Sequence, residues 1–159
     1  MALLLTTRWR SSVTEQKIRA VLDTNVIVAA LLSKNPTSPT AEIIKRWRGG
    51  EFKLLYSNHL REEYAEKLLD RGVNLQQTAI FLNDVEGMGI EVFLADADIL
   101  PRIPDDPDDD VVIACAIVGG ATHLVTYDIH LRSLGEEYQG VQILDGLHFL
   151  YALRGDVPH

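Results

Sequence analysis

The stretch IRAVLDTNVIVAALL, residues 18–32, decides the fold. Its first part, IRAVLD (18–23), is short, rich in β-branched and aliphatic residues, and ends on an acid, as a buried strand does. NVIVAALL (25–32) follows at once and is apolar on nearly every side, the pattern of a helix inside a core. A buried strand that turns directly into a buried helix is the opening unit of a parallel sheet with helices on its faces.

Outward from there the alternation continues. Ser38-Pro39 reads as an N-cap and first helical position, and that helix stops at Gly49-Gly50. FKLLY (52–56) is a second strand. Ser57 caps a helix to about Leu69, with Leu60, Tyr64 and Leu68 as its buried stripe. Asn74 opens a further helix, IEVF (90–93) is a third strand, and residues 95–107, with three prolines, read as loop. VVIACAIV (111–118) is a buried helix whose first turn reaches back to an N-cap at Asp106 and Pro107. THLVTYD (122–128) and VQIL (141–144) are the fourth and fifth strands, and LHFLYAL closes the chain as a helix. The expected fold is α/β: three layers around a central parallel sheet of about five strands, as one domain over residues 16–155. Residues 1–15 read as a flexible extension.

Composition narrows the function. The chain has 159 residues, 47% of them hydrophobic, and a formal net charge of −8. That charge argues against a passive nucleic-acid binder, which is usually basic. Much of the acid sits in one run, PDDPDDD (104–110), where bound cations would offset it. Lys34, Lys45, Arg46, Arg48, Arg61, Lys67 and Arg71 offer either a phosphate-contacting rim or a solvated mixed-charge face. The lone Cys115, inside an apolar run, fits a buried hydrophobe in a reducing compartment, and cytoplasm is the expected location. No segment has the length or apolarity of a membrane span.

In open α/β sheets, ligands bind beyond the carboxyl ends of the strands. Asp23 ends the first strand and Asp128 the fourth, and Asp109 lies near the same edge. Converging carboxylates repel one another, and a divalent cation resolves this; oxygen ligands suit Mg²⁺ or Mn²⁺. Such an ion can activate water and offset charge on a phosphate. Each acid also has a stability role: Asp23 can cap the helix after it, Asp128 can begin a turn, and Asp109 at N3 complements a helix dipole. Glu63 lies beside the apolar stripe of its helix, where helical geometry alone leaves it in solvent.

Three segments together carry a resemblance: VLDTNVIVAALLS (21–33), YSNHLREEYAEKLL (56–69) and DDPDDDVVIACAIVGGATHLVTYD (105–128). They resemble, in order and spacing, the four acidic motifs of the PIN domain family of nucleases, over roughly residues 18–150. The second motif is a serine, Ser57, followed six residues later by Glu63. The third is an Asp-Pro-x-Asp step, Asp106 to Asp109, with Ala116 seven positions on. The fourth is Thr126 with Asp128. The resemblance implies a PIN fold and Mg²⁺- or Mn²⁺-dependent ribonuclease activity on RNA. It implies Asp23, Glu63, Asp109 and Asp128 as catalytic acids, metal ligation by Asp23, Asp109, Asp128 and Asp106, and supporting contacts from Thr24, Asn25 and Thr126. Asp108, Asp109 and Asp110 are consecutive, so the choice of Asp109 rests on the spacing to Ala116. The family also implies a toxin of a toxin–antitoxin pair, an antitoxin protein as partner, and self-association as a homodimer.

Two kinds of rival reading exist. A haloacid-dehalogenase-like phosphatase needs an aspartate two residues after Asp23, where this chain has Asn25; a receiver domain needs an acidic pair and a lysine that are not found. A catalytically silent PIN-like module that binds RNA or protein without cutting is the alternative function. The intact set of repelling acids argues against it.

Overall fold

A computed structural model describes residues 18–155, so the segment read as an N-terminal extension lies outside the described residues. The strands are β1 (Arg19–Leu22), β2 (Lys53–Tyr56), β3 (Ile90–Glu91), β4 (His123–Val125), β5 (Glu137–Tyr138) and β6 (Val141–Leu144). The helices are α1 (Thr24–Leu32), α2 (Pro39–Arg48), α3 (Asn58–Asp70), α4 (Leu75–Met88), α5 (Pro107–Val118), α6 (Ile129–Arg132) and α7 (Gly146–Arg154). One sheet runs β3-β2-β1-β4-β6-β5, and every pairing is parallel except β5 with β6.

This is the α/β architecture expected, with one strand more than the five read from the sequence. The addition is a hairpin: Glu137 and Tyr138 pair back onto Gln142 and Val141. Gln139 and Gly140 join the two strands, both with positive φ (49° and 86°), which a two-residue hairpin turn needs. Its signal is weak because glutamine rarely adopts that conformation. The third strand is shorter than expected, since only Ile90 and Glu91 pair with β2. A one-turn helix, α6, follows Asp128 directly.

The capping signals act where the sequence puts them. Ser38, Ser57 and Asn74 accept hydrogen bonds from the backbones of α2, α3 and α4, and Pro107 opens α5 behind Asp106. These caps set where each helix starts relative to the strand before it. β1 and β4, wholly buried apart from Arg19, lie at the centre of the sheet; α5 packs over β1, β2 and β4, while α7 packs on β4 and α2. Leu60, Tyr64 and Leu68 turn inward from α3 as the stripe predicts, and α3 touches both α1 and α5. Among the described residues no helix is long and apolar enough to cross a membrane.

Candidate metal centre

The central parallel strands deliver their carboxyl ends side by side. Asp23 leaves β1 and its backbone N–H donates to the carbonyl of Val125 on β4 at 2.9 Å. Its Oδ1 accepts from the N–H of Thr24 at 2.9 Å, capping α1. Its Oδ2 accepts from the hydroxyl of Thr126 at 2.7 Å. The same Thr126 oxygen accepts from the N–H of Asp128 at 3.0 Å. One fully buried hydroxyl therefore ties the acids of two strands together. Asp128 is further held by Oδ1, which accepts from the N–H groups of His130 (2.7 Å) and Leu131 (3.3 Å).

The third element is the start of α5. Asp106 caps it, accepting from the N–H of Asp108 at 3.1 Å. One turn further in, Asp109 is 6% exposed, and its Oδ2 has no hydrogen-bond partner. Carboxylate oxygens of Asp106, Asp109 and Asp128 all lie within 4.8 Å of one another. Asp23 stands just outside this tightest group, with both of its oxygens engaged, and its charge is felt by Asp109.

The electrostatics follow from that packing. Burial, then the charges of Asp128, Asp106 and Asp23, push the carboxyl of Asp109 up to about 8, and a carboxyl–carboxyl contact with Asp128 adds to the rise while Oδ2 is without a hydrogen bond of ordinary geometry. Asp23 is also raised: burial dominates, the Thr126 and Thr24 hydrogen bonds pull the other way, and Asp128 and Asp106 add to the rise. Glu63 is raised by burial first, with Asp23 and Asp108 adding and Lys67 opposing. The Thr24 hydroxyl also favours the charged form of Glu63, yet Thr24 Oγ1 is buried without a hydrogen bond of ordinary geometry. That contact is therefore weak, and burial governs Glu63. Acids forced up together, with an orphaned oxygen among them, are the donor set a hard divalent cation satisfies.

Of the three consecutive acids, Asp109 alone joins the cluster. Asp108 points outward at the exposed start of α5. Asp110 is buried but committed elsewhere: its Oδ1 accepts from the N–H groups of Arg102 (2.8 Å) and Ile103 (2.7 Å), fastening the preceding loop to the helix. Glu63 is half-buried and turned toward Asp23, not left in solvent as its helix alone suggests, because α3 packs against α1. Thr24 is buried beside it; Asn25 is exposed and makes no side-chain hydrogen bond.

Three of the basic residues that could form a rim are paired with acids. Arg46 pairs with Glu42 and Glu51, Arg48 with Asp84, and Arg61 with Glu86. Lys67 does lie at the site, in a groove with Glu63, Glu66 and Asp108. Sequence reasoning placed Tyr64 only in the apolar stripe, and nothing local signals that its hydroxyl reaches the carbonyl of Leu22. The loop-fastening of Asp110 was equally silent, being a contact to backbone with no residue preference.

A family model described as PIN domain matches residues 19–130. Among solved structures, the chain is similar to VapC20 of Mycobacterium tuberculosis, described as a sarcin-ricin loop cleaving toxin. The TM-score is 0.53 at 14% identity, covering 77% of this chain and 98% of that one. It is also similar to FitAcB of Neisseria gonorrhoeae, with a TM-score of 0.52 at 16% identity, covering 81% of this chain and 99% of that one. No curated protein sequence matches. At these identities the structural likeness speaks to the fold alone.

Proposed function

Because the chain belongs to the PIN domain family, we propose that it is a Mg²⁺- or Mn²⁺-dependent endoribonuclease that hydrolyses RNA phosphodiester bonds, acting as the toxin of a toxin–antitoxin pair. The observation that carries this reading is the unpartnered, buried Oδ2 of Asp109 within 4.8 Å reach of Asp106 and Asp128. A purely structural acid in that place would be expected to find a donor.

In this reading Asp106, Asp109 and Asp128 hold the cation, and Asp23 completes the shell from β1. Thr126 orients Asp23 through Oδ2 and Asp128 through its N–H, so both carboxylates are held in set positions where they would face a bound ion. When bound, the ion supplies Lewis-acid polarisation of a phosphoryl oxygen and a lowered pKa for water. Glu63 enters from α3, and its raised pKa suits it to accept a proton from the attacking water. Lys67 lies beside it, where a phosphate could be met. The toxin role is supported by the four acidic motifs and by the fold shared with VapC20, itself a toxin. An antitoxin protein is then the expected partner, and buried, unpaired Cys115 suits a reducing cytoplasm.

The test is cleavage of single-stranded RNA with Mn²⁺ by wild type and by Asp23→Asn. Wild type should cut and the variant should lose at least a hundredfold in rate, on the scale of removing a first-rank electrostatic contact. Equal rates refute the proposal. Mn²⁺ binding and RNA binding without any cleavage would support the silent-module reading instead.

A further inference from the structure

β1 and β2 run together only as far as Arg19 opposite Lys53 and Ala20 opposite Leu54, and then separate. Beyond that point the carbonyl of Leu22 faces away from β4, because the next N–H, that of Asp23, is given to Val125. A buried carbonyl at a diverging ladder needs a donor. The donor is the phenol of Tyr64, a fully buried side chain on α3 that reaches across 42 residues of sequence to bond Leu22.

Both ends of this bond sit one residue from a site acid. Leu22 precedes Asp23, and Tyr64 follows Glu63. The bond lies between the element that carries Asp23 and the helix that carries Glu63. Its ring is held from the other side by Phe81 of α4, edge-on with centroids 6.0 Å apart, so the hydroxyl has little freedom to seek another acceptor. No other hydrogen bond of the described residues joins α3 to β1 or to Asp23.

We propose that Tyr64 is a positioning residue for the metal centre: through its hydroxyl on Leu22 it sets how deep α3 sits against β1, and thereby the separation of the Glu63 and Asp23 carboxylates. The inference rests on the metal-dependent reading above. Without the hydroxyl, α3 remains packed by Leu60 and Leu68, but nothing directional fixes its height along β1. Glu63 then faces Asp23 over a spread of distances, and an ion that would be held by Asp23 and steadied by Glu63 through intervening water loses affinity. Contacts that orient ligand carboxylates typically carry about 10–100-fold of metal affinity.

The experiment measures Mn²⁺ affinity by the electron-spin-resonance signal of free ion, with no RNA present. Tyr64→Phe should bind Mn²⁺ roughly tenfold more weakly than wild type, at the lower end of that range. In a Glu63→Gln background the same change should cost less than about twofold, because the acid it acts through is gone. Thr122→Val serves as the structural comparison: Thr122 Oγ1 accepts from the N–H of Arg19 at 3.0 Å and donates to its carbonyl at 2.9 Å, at the far end of β1. It should lower Tm and leave Mn²⁺ affinity unchanged. Far-UV circular dichroism verifies that each variant is folded; if Tyr64→Phe does not fold, Phe81→Leu, which leaves the hydroxyl in place but frees the ring that carries it, should weaken Mn²⁺ binding in the wild-type background and not in the Glu63→Gln background, and an equal effect in both overturns the proposal. Wild-type affinity in Tyr64→Phe, or an equal loss with and without Glu63, overturns the proposal. Wild type that binds no Mn²⁺ refutes the metal site and Tyr64's role together; wild type that binds Mn²⁺ but cuts no RNA refutes the nuclease reading and leaves the role of Tyr64 to be judged on affinity.

Discussion

Replacing Asp109 with asparagine should make the metal-free protein more stable, and more so as pH rises. The side chain keeps its shape, but the charge that Asp128, Asp106 and Asp23 oppose is removed. In the folded state this carboxyl titrates at about 8. In the unfolded chain it titrates near 4. The folded form therefore holds a proton that the unfolded form has lost, and stability falls with pH across that window. Stability from this group is fully present below about 4 and is lost progressively as pH climbs to about 8. Between pH 5 and 8 the full linkage amounts to about 4 kcal/mol, at roughly 1.4 kcal/mol for each unit. Water at the mouth of the site and local relaxation roughly halve this, leaving about 2 kcal/mol. For a chain of this size that corresponds to a fall of about 4–8 °C in Tm. The assay is thermal unfolding of wild type and Asp109→Asn, both stripped with a chelator, at pH 5 and pH 8. Wild type should lose about 4–8 °C more than the variant over that interval. Mn²⁺ at about a hundredfold its Kd should restore roughly 2–3 kcal/mol to wild type at pH 8 and little to Asp109→Asn. Parallel pH curves for the two proteins would refute the argument that the cluster is a set of unpaired, repelling acids.

Thr126→Val keeps the shape of a fully buried residue but removes the hydroxyl shared by Asp23 Oδ2 and the N–H of Asp128. It should cost about 1–3 kcal/mol in urea unfolding and about tenfold or more in Mn²⁺ affinity; a loss of stability with unchanged affinity would show that the threonine supports the fold only. Asp110→Ala removes the acceptor for Arg102 and Ile103 and should destabilise by about 1–3 kcal/mol, again by urea unfolding. Mn²⁺ affinity should change far less in Asp110→Ala than in Asp109→Asn, and the reverse order in a titration of both variants would reassign the ligand.

The order of strands and helices was readable because it is written in local terms. Apolar periodicity marks each buried element, and Ser38, Ser57, Asn74 and Asp106 mark where helices begin. Asp23 and Asp128 were readable for the same reason: a polar residue at the end of a buried strand in a parallel sheet must lie on its carboxyl edge. The β5–β6 hairpin was missed because its turn is built on Gln139, a residue without preference for positive φ.

The sequence by itself determined that this chain is a parallel α/β sheet with acids at the carboxyl edge. Tertiary structure decided which acids come together in the candidate site. Asp108, Asp109 and Asp110 are the same residue type in a row, and only the rotation of α5 against the sheet turns one outward, one into the cluster and one onto the backbone of Arg102 and Ile103. Glu63 is exposed on an isolated helix and half-buried once α3 meets α1. The physical reason is the range of the interactions: periodicity and capping act over a few residues, whereas carboxylate repulsion and desolvation depend on distances set between elements far apart in the chain.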